Sequence, residues 1–211
     1  MDLYYKMLKI DTIVNSIFNS NTYIISDTKS SDAWLVDCGD LEPILTGLEK
    51  RQLELKGIFI THTHFDHIYG LNKITKEYPE TIIYTSEVGV DALSDSKLNL
   101  SKYHEMPFVY EGCNDVVCKE GDNIKLFSEV DMQVIETPGH NPSCLSFYIP
   151  IQNVIFTGDS LIPGIKTVTY FPKSNKTLAK ESEVKIMHLC NQFTIVHPGH
   201  NESILLKYLK G

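Results

Sequence analysis

Residues 57–70 read GIFITHTHFDHIYG, and four candidate metal ligands (His62, His64, Asp66 and His67) fall within six consecutive positions of that stretch. The apolar residues before them, 57–60, read as a buried strand; the residues from His67 to Tyr78 read as a helix stopped by Pro79. The ligands therefore sit on a strand-to-helix turn. In extended backbone, side chains two apart point the same way, so His62 and His64 can share one ion. Where the chain turns into helix, Asp66 and His67 project elsewhere and can grip a second ion nearby. Imidazole and carboxylate suit zinc, manganese or ferrous iron, and no thiolate is present in the cluster to narrow the choice.

Three further candidates stand at the ends of segments that read as strands. His140 closes MQVIETPGH (132–140), Asp159 lies in VIFTGDS (154–160), and His200 closes VHPGH (196–200). A ligand at the end of a rigid strand can be presented in a fixed direction. Upstream, 9–14, 22–26 and 33–37 read as strands, and 41–52 as a helix with Asp40 as N-cap and Pro43 in its first turn. Strands are expected at 81–84, 123–127, 132–136, 144–149, 154–157 and 193–196, and helices at 176–189 and 202–210. The polar stretch 94–123, broken by Pro107 and Gly112, reads as a long loop or irregular elements. A short internal echo links the halves: LVDCGD (35–40), helix, GIFITHTHFDH, against VIFTGDS, helix, FTIVHPGH (193–200). Two such halves facing each other would bring both histidine-bearing strand ends to one edge.

The order H-x-H-x-D-H, PGH, GDS, PGH resembles the metallo-β-lactamase superfamily, most closely its glyoxalase II-like branch. NTY (21–23) and VDCGD (36–40) extend the match over nearly the whole chain. The resemblance implies an α/β (α+β) fold, a four-layer αββα sandwich with two divalent metal ions at one edge. It implies one site of His62, His64 and His140, and a second of Asp66, His67 and His200. Asp159 would bridge them together with a water or hydroxide. Zinc is the first choice, with iron or manganese as alternatives. Asp66 and Asp159 are the candidate catalytic residues, Asp66 to orient the nucleophile and carry a proton. Asp37 resembles an aspartate that steadies the metal-binding loop by hydrogen bonds.

Other residues have plainer readings. His197 is expected to be a partly buried packing residue or to stand behind the ligands. His104 is expected in a solvated loop or as part of a lid, and His188 on a helix surface. Cys38 and Cys144 flank the motifs without matching a ligand position. Phe65, Tyr69, Phe108, Tyr170 and Phe171 are candidates for the substrate mouth.

The resemblance has limits. The Gly-Arg-x-Asp stretch frequent after GDxLF in that branch is missing from GDSLIPGIKTVTYFPKSN (158–175). The chain ends eleven residues after His200, so the helical domain that supplies glutathione contacts is expected to be absent. The leading expectation is hydrolysis of a small thioester, ester or lactone. Alternatives are a phosphodiesterase or nuclease, a β-lactamase, and a metal-stabilised regulatory module without turnover.

Composition bounds the partners. A net charge of −8 and a pI near 5.4 offer no field for nucleic acid or anionic lipid, which favours a small-molecule substrate. No apolar run approaches the ~20 residues needed to span a bilayer, and MDLYYKMLKI does not read as a secretory leader. Five scattered cysteines without a C-x-x-C pair suggest buried thiols in the cytoplasm, with a Cys113–Cys118 loop disulfide as the minor alternative. The 211 residues fit a single domain, 1–211, of undetermined oligomeric state.

Overall fold

In the computed structural model, which describes residues 8–105 and 107–210, strand β2 (Asn21–Asp27) is buried on both faces. Tyr23 and Ile25 turn one way and Ile24 the other, into separate apolar clusters. A strand apolar on both sides must lie between two layers. The first sheet runs β1 (Leu8–Val14), β2, β3 (Asp32–Val36), β4 (Glu54–Phe59), β5 (Ile82–Thr85) and β6 (Asp115–Val117), antiparallel from β1 to β3 and parallel thereafter. The second is formed by β7 (Asn123–Phe127), β8 (Val130–Glu136), β9 (Leu145–Ile149), β10 (Val154–Gly158), β11 (Ile195–Pro198) and β12 (Ile204–Leu205). Its neighbours are antiparallel except for the parallel pair β10–β11.

Between the sheets Tyr23, Trp34 and Phe59 meet Met132, Phe147 and Phe156. Helices α1 (Leu41–Glu49), α2 (Leu71–Glu77) and α3 (Glu87–Leu93) carry residues such as Ile44, Leu48, Ile74 and Leu93 onto the other face of the first sheet. Helix α4 (Lys176–Leu189) lays Ile186 on the second. The layers are thus αββα, as the motifs imply. The internal echo is a matching pair of crossovers, β3–α1–β4 and β10–α4–β11, each joining parallel neighbours.

Several elements depart from expectation for local reasons. The expected helix over 67–78 is a 3-10 turn, Phe65–His67, and then α2. Cys38 intervenes: its N–H donates to the His67 carbonyl at 2.8 Å and its carbonyl accepts from the Gly70 N–H at 3.0 Å, groups a continuous helix would use itself. Helix α1 ends at Glu49 rather than Gln52. Asp40 does not cap it with its side chain; the carboxylate accepts from the Ser16 amide at 2.7 Å and the Tyr69 hydroxyl at 2.6 Å instead. Helix α3, started by the Ser86 hydroxyl accepting from the Gly89 amide, was not expected, nor was β6 within 94–123. Strand β11 begins at Ile195 rather than Phe193, because Thr194 and Asn191 form a turn ahead of it. Residues 202–210 are not a helix: Ile204 and Leu205 pair with the edge of β11, and a 3-10 turn, Leu206–Lys210, follows.

All five cysteines are free, with Cys113 exposed and the rest buried, so the alternative Cys113–Cys118 disulfide is not formed. Among the described residues no helix is long and apolar enough to cross a membrane. The reading of MDLYYKM as lacking a leader lies outside them.

Candidate metal centre

All seven candidate ligands come together at one edge of the sandwich. His62, His64, Asp66 and His67 follow β4, His140 follows β8, Asp159 follows β10, and His200 follows β11. Three groups form there: His62–His64–His140, Asp66–His67–His200 and His62–His67–Asp159, each with its donor atoms within 4.8 Å of one another. Asp159 spans the first two. Its Oδ2 lies 3.4 Å from His140 Nε2 and 3.5 Å from His200 Nε2, while Oδ1 lies 3.7 Å from His67 Nε2. Asp66 Oδ2 is 3.3 Å from both His67 Nε2 and His200 Nε2.

Each imidazole is fixed from outside. His140 Nδ1 donates to the Val168 carbonyl at 2.9 Å, and His200 Nδ1 to the Phe18 carbonyl at 3.2 Å. A carbonyl only accepts, so Nδ1 carries a proton in both rings and Nε2 faces the centre. His67 Nδ1 meets Asp37 Oδ2 at 2.8 Å. The same Asp37 oxygen accepts the Thr61 hydroxyl at 2.8 Å, and that hydroxyl faces His62 Nδ1 at 3.2 Å. Asp37, buried and at φ 58°, thus sets two rings at once, and its Oδ1 accepts the Thr61 amide. His64 Nε2 is held by the Asn141 side-chain amide at 3.0 Å.

The inner atoms fit a cation. His62 Nε2 and Asp159 Oδ1 are buried with no hydrogen-bond partner, and His67 Nε2 makes none despite its nearby carboxylates. His64 Nδ1 and His140 Nε2 lie 2.9 Å apart at the same point, within hydrogen-bond distance of each other. Burial, reinforced by the neighbouring imidazoles, pushes His62 well below the usual histidine range and His64 down to about 3. Burial also lowers His140. These are neutral donors. Burial opposes protonation of His67 and His200 as well, but carboxylates outweigh it: Asp66 and Asp37 lift His67, and Asp159 and Asp66 raise His200 to about 9. Asp66 and Asp159 in turn are held below the usual carboxylate range against their own burial, by His67 and His200. The protons on those two rings balance buried negative charge, the task divalent cations would perform.

The turn carrying His200 is tied to both sheets. The Gly199 N–H donates to the Gly158 carbonyl at 2.8 Å and its carbonyl accepts the Asn21 amide at 2.7 Å. A Cβ on Gly199 would collide with the Asp159 carboxylate and the His67 ring. The Asn21 side chain and the Tyr23 hydroxyl both donate to the Pro198 carbonyl, which gives the NTY motif its structural role.

The remaining candidates separate. His197 packs between Tyr23 and Phe156, bonds Ser203 at 2.7 Å, and is pushed by burial to about 4; it is a packing residue. His188 is exposed on α4. Cys38 and Cys144 are buried outside the ligand groups. A cavity of about 790 Å³ opens above the centre, lined by Phe65, Tyr170 and Phe171 as expected and by His104. Tyr69 and Phe108 do not line it: Tyr69 bonds Asp40, and Phe108 fills the core beneath the helices. Among the residues sequence reading missed are Phe18, Thr61, Asn141 and Val168. Phe18 and Val168 act on the ligands through backbone carbonyls, which leave no side-chain signal.

Residues 16–204 match the family model of the metallo-β-lactamase superfamily. The chain is similar to a hydroxyacylglutathione hydrolase of Hahella chejuensis, 30% identical over 146 residues that make up 68% of this chain and 48% of that protein. It thus spans about half the length of such curated relatives. A "probable metallo-hydrolase" of Streptococcus pyogenes is 26% identical, with 98% of this chain and 90% of that protein covered. Among solved structures, the B3 metallo-β-lactamase BLEG-1 superposes with a TM-score of 0.87 at 25% identity, 95% of each chain covered. A di-iron-bound form of TTHA1623 shares the fold at a TM-score of 0.81 and 23% identity, with 94% and 96% covered.

Proposed function

The chain belongs to the metallo-β-lactamase superfamily, and on that premise we propose that it is a divalent-metal-dependent hydrolase of small thioesters, esters or lactones. One observation carries the reading. Five imidazoles at one sheet edge are each fixed on the outside by another protein group and face inward, with Asp66 and Asp159 among them. His62, His64 and His140 would hold one ion, Asp66, His67 and His200 a second, and Asp159 would touch both. Nitrogen and oxygen donors without thiolate make zinc the first choice and iron or manganese the alternatives. Bound there, two divalent ions would supply a water acidic enough to attack at neutral pH and a Lewis acid for the scissile carbonyl.

The chain's own groups do the rest. Asp37, Thr61 and the carbonyls of Val168 and Phe18 keep the rings in one orientation and one tautomer. Asp66 lines the cavity floor as a carboxylate, able to accept the proton of the attacking water and pass it to the departing thiol or alcohol. The water oxygen joins the acyl carbon, the C–S or C–O bond breaks, and the leaving group takes the proton. We read residues 1–211 as one such domain with a small-molecule substrate. Its free thiols suit the cytoplasm.

The protein purified without chelators is expected to carry about two divalent ions per chain. His62→Ala combined with His64→Ala should remove at least one. The loaded protein should hydrolyse an acyl thioester or a lactone faster than bis-p-nitrophenyl phosphate or a chromogenic cephalosporin. Full turnover by metal-free protein would overturn the reading. A phosphodiester or cephalosporin preferred by about tenfold, roughly 1.4 kcal/mol of transition-state stabilisation, would replace the acyl substrate class.

A further inference from the structure

The cavity over the metal centre has two aromatic walls. On one side Phe18, His104 and Phe65 follow one another as tilted rings, with centroids 5.6 Å apart for Phe18–His104 and 4.5 Å for His104–Phe65. On the other, Tyr170 lies 4.7 Å from Phe171, whose ring meets His64 edge-on at 5.0 Å. Phe18 and Tyr170 are 64% and 79% exposed, large apolar surfaces left uncovered beside the site. The placement of Phe18 is costly: it and Asn19 sit at φ 54° and 55°, left-handed conformations that side chains other than glycine rarely adopt. The loop is held in that form by the Asn15 amide on the Ser20 carbonyl at 2.8 Å and by Ser16 on Asp40.

The walls lack long cationic side chains. No Lys or Arg is among the described residues lining this cavity. The lysines nearest in sequence stand at its rim or beyond it: Lys102 rests on the ring of Tyr103, itself a lining residue, at 4.8 Å, Lys166 lines an adjoining depression beside α4, and Lys173 a small cavity next to Pro142. An anionic group entering between the walls would lose hydration and gain no counter-charge from them, whereas an apolar group would gain from leaving water.

We propose that the cleft between the Phe18–His104–Phe65 and Tyr170–Phe171 walls binds an uncharged, apolar acyl group, making the protein a hydrolase of apolar rather than anionic acyl donors. This inference rests on the hydrolase reading above for the turnover it predicts, but the binding preference stands apart from turnover. The cleft is continuous with the metal floor, since Asp66, His140 and His200 line the same cavity. An acyl chain between the walls therefore places its carbonyl end at the centre.

The test uses the metal-loaded protein with two N-acetylcysteamine thioesters of nearly equal size, hexanoyl and glutaryl, and with the thioether analogue of each. Hexanoyl should exceed glutaryl in kcat/KM by at least about tenfold, and its analogue should bind more tightly in calorimetry by a similar factor. Phe18→Ala and Tyr170→Ala should each narrow the ratio several-fold, losing more on hexanoyl than on acetyl thioester. If neither thioester is cleaved but the hexanoyl analogue still binds more tightly and Phe18→Ala weakens it, the hydrolase reading falls and the apolar cleft stands. If glutaryl is cleaved or bound as well as hexanoyl, the apolar assignment is overturned, whatever becomes of hydrolysis.

Discussion

The floor of the site and its mouth are built differently. On the floor, ligands follow strand ends and all but His200 are nearly inaccessible to solvent; every imidazole has an outer partner. At the mouth, Phe18 and Tyr170 stand on irregular loops with most of their surface in solvent, and His104 follows a single 3-10 turn. Over-determined positions hold a geometry; loosely held ones choose what enters. Substitutions on the floor should therefore act alike on every substrate, and those at the mouth should act on selectivity.

The largest effect expected is from Gly199→Ala. The new methyl would occupy the space of the Asp159 carboxylate and press on His67. Displacement of either by about an ångström costs on the order of a hundredfold, and the loss should fall equally on hexanoyl, glutaryl and lactone substrates. Metal content and rates for the three substrates check it. A Gly199→Ala protein with full metal content and an unchanged rate would mean the floor is not rigid, and the contrast with the mouth would collapse.

Asp159→Asn and then Asp37→Asn should come next. Asp37 touches no proposed ion; it orients His67 directly and His62 through Thr61. Loss of such a partner typically lowers metal affinity or activity by ~10–100-fold. Asp159→Asn, which alters a group reaching both ligand sets, should cost more. Chelator competition on the two variants gives the order. Equal losses would argue that Asp159 does no more than a supporting residue.

The same contrast explains what the sequence discloses. The floor is legible because its chemistry is concentrated in few residue types: a H-x-H-x-D-H run after an apolar stretch, then PGH and GDS after others. The layers are legible because strands buried on both faces read as continuous apolar runs, as TYIIS does around Ile24. What escapes is decided by groups with no side-chain identity. The backbone of Cys38 breaks the helix expected at His67, and the edge of β11 captures Ile204 and Leu205 from the helix expected there. The mouth escapes most. Phe18 belongs to it because of two left-handed residues in a tight loop, and Phe108, of the same type, belongs to the core.

The smallest effect, and the sharpest separation of mouth from floor, is expected from the stability of Tyr170→Ala. At 79% exposure the ring keeps little buried area to lose, and its contact is with the neighbouring Phe171. Substitutions of this kind usually stay within about 0.5 kcal/mol. For a chain of 211 residues that corresponds to a shift in melting temperature of roughly 1–2 °C. Calorimetry of the metal-loaded variant beside the parent protein measures it, at one metal concentration because ion binding itself raises the midpoint. The expected pair of results is an unchanged midpoint and a narrowed preference for the hexanoyl substrate, which a residue held only for packing would not produce. A fall of more than about 4 °C would place Tyr170 among the supports of the fold, and the distinction between a rigid floor and a selective mouth would then have to be drawn inside the 160–175 loop.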